Sequence, residues 1–324
     1  MRLVGERPDS GHIDLLAGSA TRCIVMYMTG FSSLTIPTAP AGWFDYRYYV
    51  LSDGKLAVLR ADRDINGEYR AWRTKAQRAI FPRKMPDFWK GKACISVIEK
   101  NGESAPIGVP LVRYPQIDRF VDGRWLIAST RALPDEANGL VLDEDGQPIR
   151  AFLLGDGIEH IRCASDGTIW VGYFDEGIFG NSVGSGGIVH FDAYGRTLWS
   201  YNEQESAGGS FVADCYALSL SGDELWSCYY TDFDILRVKG STKTRWSNGI
   251  TGARALAVDG SFLLLAGGYG ADANRVALLE LARGEARLIG SLNCPEIENA
   301  PLLSGRSSVV HVVSNGTWTR IRPD

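Results

Sequence analysis

Short apolar runs alternate along this chain with glycine turns and polar loops, and one phrase recurs. At residues 158–173 the run IEHIRC meets the turn SDG and continues as TIWVGY. At 214–229, DCYALSL passes through SGDE into LWSCY, and 253–269 contains RALAV, DG and SFLLLAGGY. Runs of this length, rich in β-branched and aromatic residues and bounded by turn residues, read as strands paired into hairpins. Asp-Gly at 53–54, 122–123, 166–167 and 259–260 and Asn-Gly at 315–316 supply the positive φ that tight hairpins need. Outer strands follow the inner pairs: GIVHFD (187–192) with TLWSYN (197–202), ILRVKG (235–240) with TRW (244–246), and RVALLEL (275–281) with ARLIG (286–290).

The pattern predicts an all-β fold of repeated four-stranded units, with turns at Gly54, Gly123, Gly167, Gly222, Gly260 and Gly305. Most of the intervals suit the roughly 40–45 residues of a propeller blade. We therefore expect a six-bladed β-propeller formed by residues 1–324 as one domain, with seven blades as the alternative and a surface insertion at about 74–92. The last unit shows three strands: APLLS (300–304), SVVHVVS (308–314) and TWTRI (317–321). The N-terminal run RCIVMYMT (22–29) is expected to supply the fourth and close the ring, removing an exposed strand edge.

Composition narrows the classes of function. The net charge of −4 gives no global pull toward nucleic acid or anionic lipid. No apolar stretch approaches the ~18 residues of a membrane span. The N-terminus lacks a basic-then-apolar secretion signal, and the six widely spaced cysteines read as reduced thiols, so the cytoplasm is the expected compartment.

In a propeller the starts of first strands and the ends of second strands converge on one mouth of the channel. Asp45, Asp118, Glu159, Asp214 and Glu298 fall near first-strand starts, with Arg254 as a lone positive charge. Asp175, Glu176, Asp232, Asp234 and Asp272 fall near second-strand ends, alongside Tyr173, Tyr229, Tyr230 and Tyr269. Oxygen ligands of this kind suit a hard divalent cation such as Ca²⁺. Aromatic faces suit a sugar, a lactone or a cationic group.

The strand pattern DG-[TS]-[IL]-W-V-G, best seen in CASDGTIWVGYFDEGIFG (163–180), resembles the repeats of six-bladed propellers of the gluconolactonase/regucalcin, strictosidine synthase and streptogramin lyase families. The resemblance covers the blade pattern over about 115–321. Gluconolactonase-like enzymes hold a divalent metal at the channel mouth, and this resemblance makes Glu159, Asp214 and Asn299 the nearest counterparts of their ligands. A lyase of the streptogramin type needs a histidine near the mouth. His160 adjoins Glu159, but neighbours on a strand point to opposite faces.

Other motifs carry less. G-x-S-x-G at 180–184 lies in a Gly/Ser loop, not on a strand-to-helix turn. G-x-G-x-x-A at 268–273 runs on into a strand where a dinucleotide site needs a helix. His190 and His311 sit within apolar strands and read as structural, and Trp125, Trp170 and Trp226 repeat at one position expected to pack between blades. Residues 60–92 mix basic residues with Tyr69, Trp72, Phe81, Phe88 and Trp89, a combination that can bind nucleic acid. A solvated insertion explains it more simply. The expected function is a scaffold that binds a protein or small-molecule ligand through its acidic, tyrosine-rich mouth. The alternative is a divalent-metal-dependent, lactonase-like hydrolase or lyase at the same mouth.

Overall fold

The computed structural model describes residues 30–77, 85–180, 182–204 and 210–323. A short strand β1 (Ser32–Thr35) precedes the first sheet, formed by β2 (Phe44–Val50), β3 (Leu56–Ala61), β4 (Ala93–Glu99), β5 (Gly102–Glu103) and β6 (Ile107–Val109). The second sheet holds β7 (Pro115–Arg119), β8 (Trp125–Ser129), β9 (Gly139–Leu142) and β10 (Pro148–Phe152), and the third β11 (Ile158–Cys163), β12 (Ile169–Tyr173), β13 (Ile188–Phe191) and β14 (Thr197–Ser200). An eight-stranded sheet follows. One half is β15 (Asp214–Ser221), β16 (Glu224–Tyr230), β17 (Ile235–Lys239) and β18 (Thr242–Asn248). The other is β19 (Ala255–Asp259), β20 (Phe262–Ala266), β21 (Arg275–Leu281) and β22 (Glu285–Asn293). The last sheet combines β23 (Leu302–Arg306), β24 (Val309–Ser314) and β25 (Thr317–Ile321) with β1.

Within each sheet successive strands pair antiparallel. The strands of the two halves of the eight-stranded sheet are paired to one another through Ser247↔Glu285 and Asn248↔Ala286, which run parallel. The first strands touch in a closed cycle, β2 to β7, β11, β15, β19, β23 and back to β2, which gives a propeller-like arrangement around a channel. The hydrophobic core is divided into layers between neighbouring sheets. Leu59 and Ile95 meet Ile117 and Trp125, Trp226 and Ile235 meet Leu263 and Leu265, and Leu56 and Ile98 meet Val313 and Trp318. Inner strands such as β3, β8 and β12 are therefore buried on both faces, as their near-continuous apolar runs require, whereas outer strands such as β18 and β22 are largely exposed.

The turn chemistry acts as expected at five of the six glycines. Gly54, Gly123, Gly167, Gly222 and Gly260 all have positive φ. Gly305 does not mark a turn. It lies inside β23, where a Cβ would stand 1.7 Å from the Leu256 carbonyl oxygen, so it permits β19 and β23 to approach at the backbone. The actual turn is at Ser307, with φ 50°. The closing strand is also displaced from its expected place. Residues 22–29 lie outside the described residues, and Ser32–Thr35 supplies the strand that pairs with β25.

The region read as outer strand and insertion begins with a helix, α1 (Ile65–Gln77). Asp64 starts it by accepting from the Gly67 amide at 2.8 Å, an N-terminal cap. Ile65, Tyr69 and Trp72, at helical spacing, face the core layer. Tyr69, Trp72, Phe88, Trp89 and Tyr114 pack ring on ring, with centroids 4.6 Å apart for Trp89 and Tyr114. Of the aromatics that suggested base stacking, Tyr69, Trp72, Phe88 and Trp89 pack against one another, and Phe81 lies outside the described residues. Among the described residues no helix is long and apolar enough to cross a membrane. Cys94, Cys163, Cys215, Cys228 and Cys294 are free and buried.

The repeated tryptophans and both strand histidines serve packing. Trp125, Trp170 and Trp226 are buried. Trp170 stacks on His190 at 3.9 Å, and Trp226 on Trp246 at 5.6 Å. The His311 ring is stacked with Trp318 and accepts its indole N–H at 3.1 Å.

Candidate functional site

Three first strands break register near the same end of the channel. The break falls between Asp45 and Arg47 in β2, between Ile158 and His160 in β11, and between Asp214 and Ala217 in β15. A bulge leaves a residue unpaired and re-aims its side chain. In β11 that residue is Glu159, since Ile158 pairs with Tyr173 and His160 with Gly172.

Glu159 opens into a cavity of about 300 Å³ whose lining includes Arg47, Tyr48, Gln116, Arg162 and Ser304. Solvent reaches the carboxyl, but protein surrounds it. Desolvation, reinforced by the nearby charge of Asp214, pushes its pKa up to about 7. Burial and the Asp175 carboxylate raise half-buried Asp214 to about 6. Like charges gathered in a partly enclosed space disfavour ionisation. Two carboxyls that titrate near neutrality can each give or take a proton under ordinary conditions. His160 borders the same cavity, because the bulge breaks strict alternation. Its Nε2 meets the Tyr216 carbonyl at 3.2 Å, and burial together with Arg162 lowers its pKa to about 3, so it is neutral.

The other expected site residues do not converge on this point. Asp45 pairs across the hairpin with buried Arg60 at 2.7 Å and accepts from the Tyr48 hydroxyl at 2.9 Å. Glu298 is exposed and accepts from the Asn274 amide at 3.3 Å, and Asn299 takes φ 59° in the loop beside it. Among the described residues no three His, Cys, Asp or Glu side chains gather to hold a metal ion. Tyr173 and Tyr229 do not line the mouth. Both are fully buried, Tyr173 donating to the Leu154 carbonyl and Tyr229 sharing a hydrogen bond with Tyr201 at 3.1 Å. Glu176 is tied to Arg131, which also grips Asp156. Asp175, Asp232, Arg254 and Tyr269 are exposed. Tyr269 donates to the Tyr216 hydroxyl, forming an aromatic wall with Tyr230 and Phe233 close to Asp214.

Asp118 belongs to the opposite end of the channel. It is fully buried and accepts from Arg306 at 3.0 Å and from the Cys163 amide at 2.7 Å, while Arg306 also donates to the Cys163 carbonyl at 2.9 Å. The last sheet is thereby tied across the channel to the second and third. One residue earlier in β11, Arg162 donates to Ser304 Oγ at 3.0 Å and to the Ile161 carbonyl at 2.9 Å. Arg47, Gln116, Arg162 and Ser304 were not singled out from the sequence. The available signal was a charge set within the otherwise apolar ends of inner strands, in IEHIRC and APLLSGR.

No protein-family model matches the chain, and no curated protein matches it. Among solved structures, a Bacteroides fragilis protein provisionally described as exported aligns with a TM-score of 0.55 at 9% identity, over 97% of this chain and 98% of that one. A protein provisionally described as a gluconolactonase aligns at 0.46 with 11% identity, over 92% and 94%. The extracellular domain of a hybrid two-component system of Bacteroides thetaiotaomicron aligns at 0.46 with 11% identity, over 90% of this chain and 41% of that one. The chain therefore spans about two fifths of that longer protein. The likeness to the Bacteroides fragilis protein is one of fold alone, and the propeller-like arrangement rests on the closed cycle of first strands.

Proposed function

We propose that the chain is a six-bladed β-propeller that binds a small polar molecule in the mouth of its channel. The blade count treats the eight-stranded sheet as two blades touching at their rims, since its halves bury Trp226, Ile235, Leu263 and Leu265 face to face and join through two residue pairs. One observation carries the ligand reading. A bulge presents Glu159, with a near-neutral carboxyl, into a cavity of about 300 Å³. That volume is at the lower end of the roughly 300–1,000 Å³ of small-molecule sites. The exposed Tyr230 and Tyr269 beside Asp214 give a ligand an aromatic face to lie against.

A second reading, a hydrolase or lyase at the same mouth, is favoured by the Glu159–Asp214 pair, whose raised pKa values suit proton transfer. The metal-dependent form of that reading needs ligands beyond these two carboxylates.

Thermal melting against a library of neutral, cationic and anionic metabolites, on wild type and on Glu159→Gln, tests the first reading. A compound that stabilises wild type and loses its effect in Glu159→Gln supports it. Stabilisation indifferent to Glu159→Gln and to Asp214→Asn contradicts it. Lactone hydrolysis assayed with Ca²⁺, Mg²⁺, Mn²⁺ and EDTA separates the two, because cation-dependent turnover abolished in Glu159→Gln would establish the enzyme.

A further inference from the structure

The cavity holds a buried cation with no direct ion-pair partner among the described residues. Arg162 is 8% exposed, and its Nε has no hydrogen-bond partner. Among the described residues no carboxylate lies within 4.0 Å of it, because the nearby Asp118 is engaged by Arg306. A buried charge is costly unless it is paired, and guanidinium presents a planar fork that matches a carboxylate. Ser304 Oγ accepts from Arg162, which leaves its own hydroxyl proton free to donate. Arg47, on β2, borders the same cavity and has no acidic partner within 4.0 Å among the described residues. With His160 neutral, the charged lining is Arg47, Arg162 and Glu159, a net charge of one positive unit when Glu159 is ionised.

We propose that Arg162, Ser304 and Arg47 form a seat for the carboxylate of a small monoanionic ligand inside the channel. The inference rests on the reading of the mouth as a small-molecule site and names the class of molecule it takes. A single carboxylate balances the lining charge, whereas a dianion such as phosphate meets repulsion from Glu159. At about 30 Å³ for each water displaced, the cavity suits a molecule of roughly ten non-hydrogen atoms. The carboxylate end lies against Arg162 and Ser304, and the rest of the molecule points toward Glu159 and the mouth.

Calorimetric titration and thermal melting with formate, acetate and L-lactate, against sodium chloride and inorganic phosphate at matched ionic strength, test the seat. Wild type is expected to be stabilised saturably by the monocarboxylates and not by chloride. Arg162→Gln is expected to weaken that binding at least tenfold and to melt no lower than wild type, since it removes an unpaired buried cation. Ser304→Ala, a smaller change, is expected to weaken binding while keeping the fold. Wild type unaffected by all three carboxylates, or an undiminished effect in both variants, would overturn the seat. Neutral compounds that still bind through Glu159 would then leave the ligand reading standing, whereas a mouth that binds nothing in a Glu159-dependent way would remove both.

Discussion

Arg306 and Asp118, 188 residues apart in sequence, meet inside the channel with Nη1 donating to Oδ2 at 3.0 Å. The pair is almost wholly buried and both of its members bond the backbone of Cys163, so it joins three sheets at one point. Removing one member of such a pair strands the other. Asp118→Ala is expected to cost about 3–5 kcal/mol in urea unfolding, and Arg306→Met a comparable amount. A loss below ~1 kcal/mol for both would show that the pair does not secure the ring.

Gly305 and Gly54 separate two uses of glycine. A Cβ at Gly305 would meet the Leu256 carbonyl, which belongs to backbone and cannot move aside, so Gly305→Ala is expected to cost about 3 kcal/mol or more. At Gly54, with φ 76° and open space around it, alanine meets only backbone strain of order 1 kcal/mol. Thermal melting of the two variants checks the order, and an equal effect would contradict it.

The ring depends on β1. Deleting residues up to Thr35 leaves β25 as an unpaired edge, and Trp318 loses cover from Leu34. Exposed edges invite pairing between chains. The truncated protein is expected to form concentration-dependent oligomers in size-exclusion chromatography, and a well-behaved species of unchanged elution would count against closure by this strand.

The raised pKa values of Glu159 and Asp214 set a pH dependence. A carboxyl whose folded pKa lies above its unfolded value favours the fold when protonated. Its contribution is full below the ordinary carboxylate range near pH 4 and is lost as pH rises through about 6 to 7. Glu159→Gln should match wild type near pH 4 and become the more stable of the two by pH 8, measured by denaturant unfolding across that range. A gap that shrinks with rising pH would contradict the sign.

The hairpins were legible because their information is local: a strand-length apolar run and a glycine with positive φ within a few residues. Gly305 was misleading for the same reason, since Ser-Gly reads as a turn and only the neighbouring strand β19 reveals the close approach. The helix Ile65–Gln77 was hidden by its charge. Its buried face is one thin line of Ile65, Tyr69 and Trp72, and Asp64 was its one clear start signal. At the site, Glu159 and Asp214 were found as acids at strand starts, and the Asp214 charge acts on Glu159 as their shared position implied. Asp45 was placed with them, but its cross-strand partner Arg60 takes it. Tyr173 and Tyr229 stand at or next to the ends of their strands with rings turned into the core, and burial of that kind depends on which sheet lies alongside. The bulge that turns Glu159 into the cavity is a mismatch between two strands and has no signature in either one.

The most direct test of the mouth as an enclosed site is a carboxyl-resolved NMR titration of Glu159, assigned by comparison with Glu159→Gln. A midpoint near pH 7, falling toward the ordinary range in Asp214→Asn, is the expected result. A midpoint near 4.3, the value of an unperturbed glutamate, would show an open, solvated side chain and contradict the site.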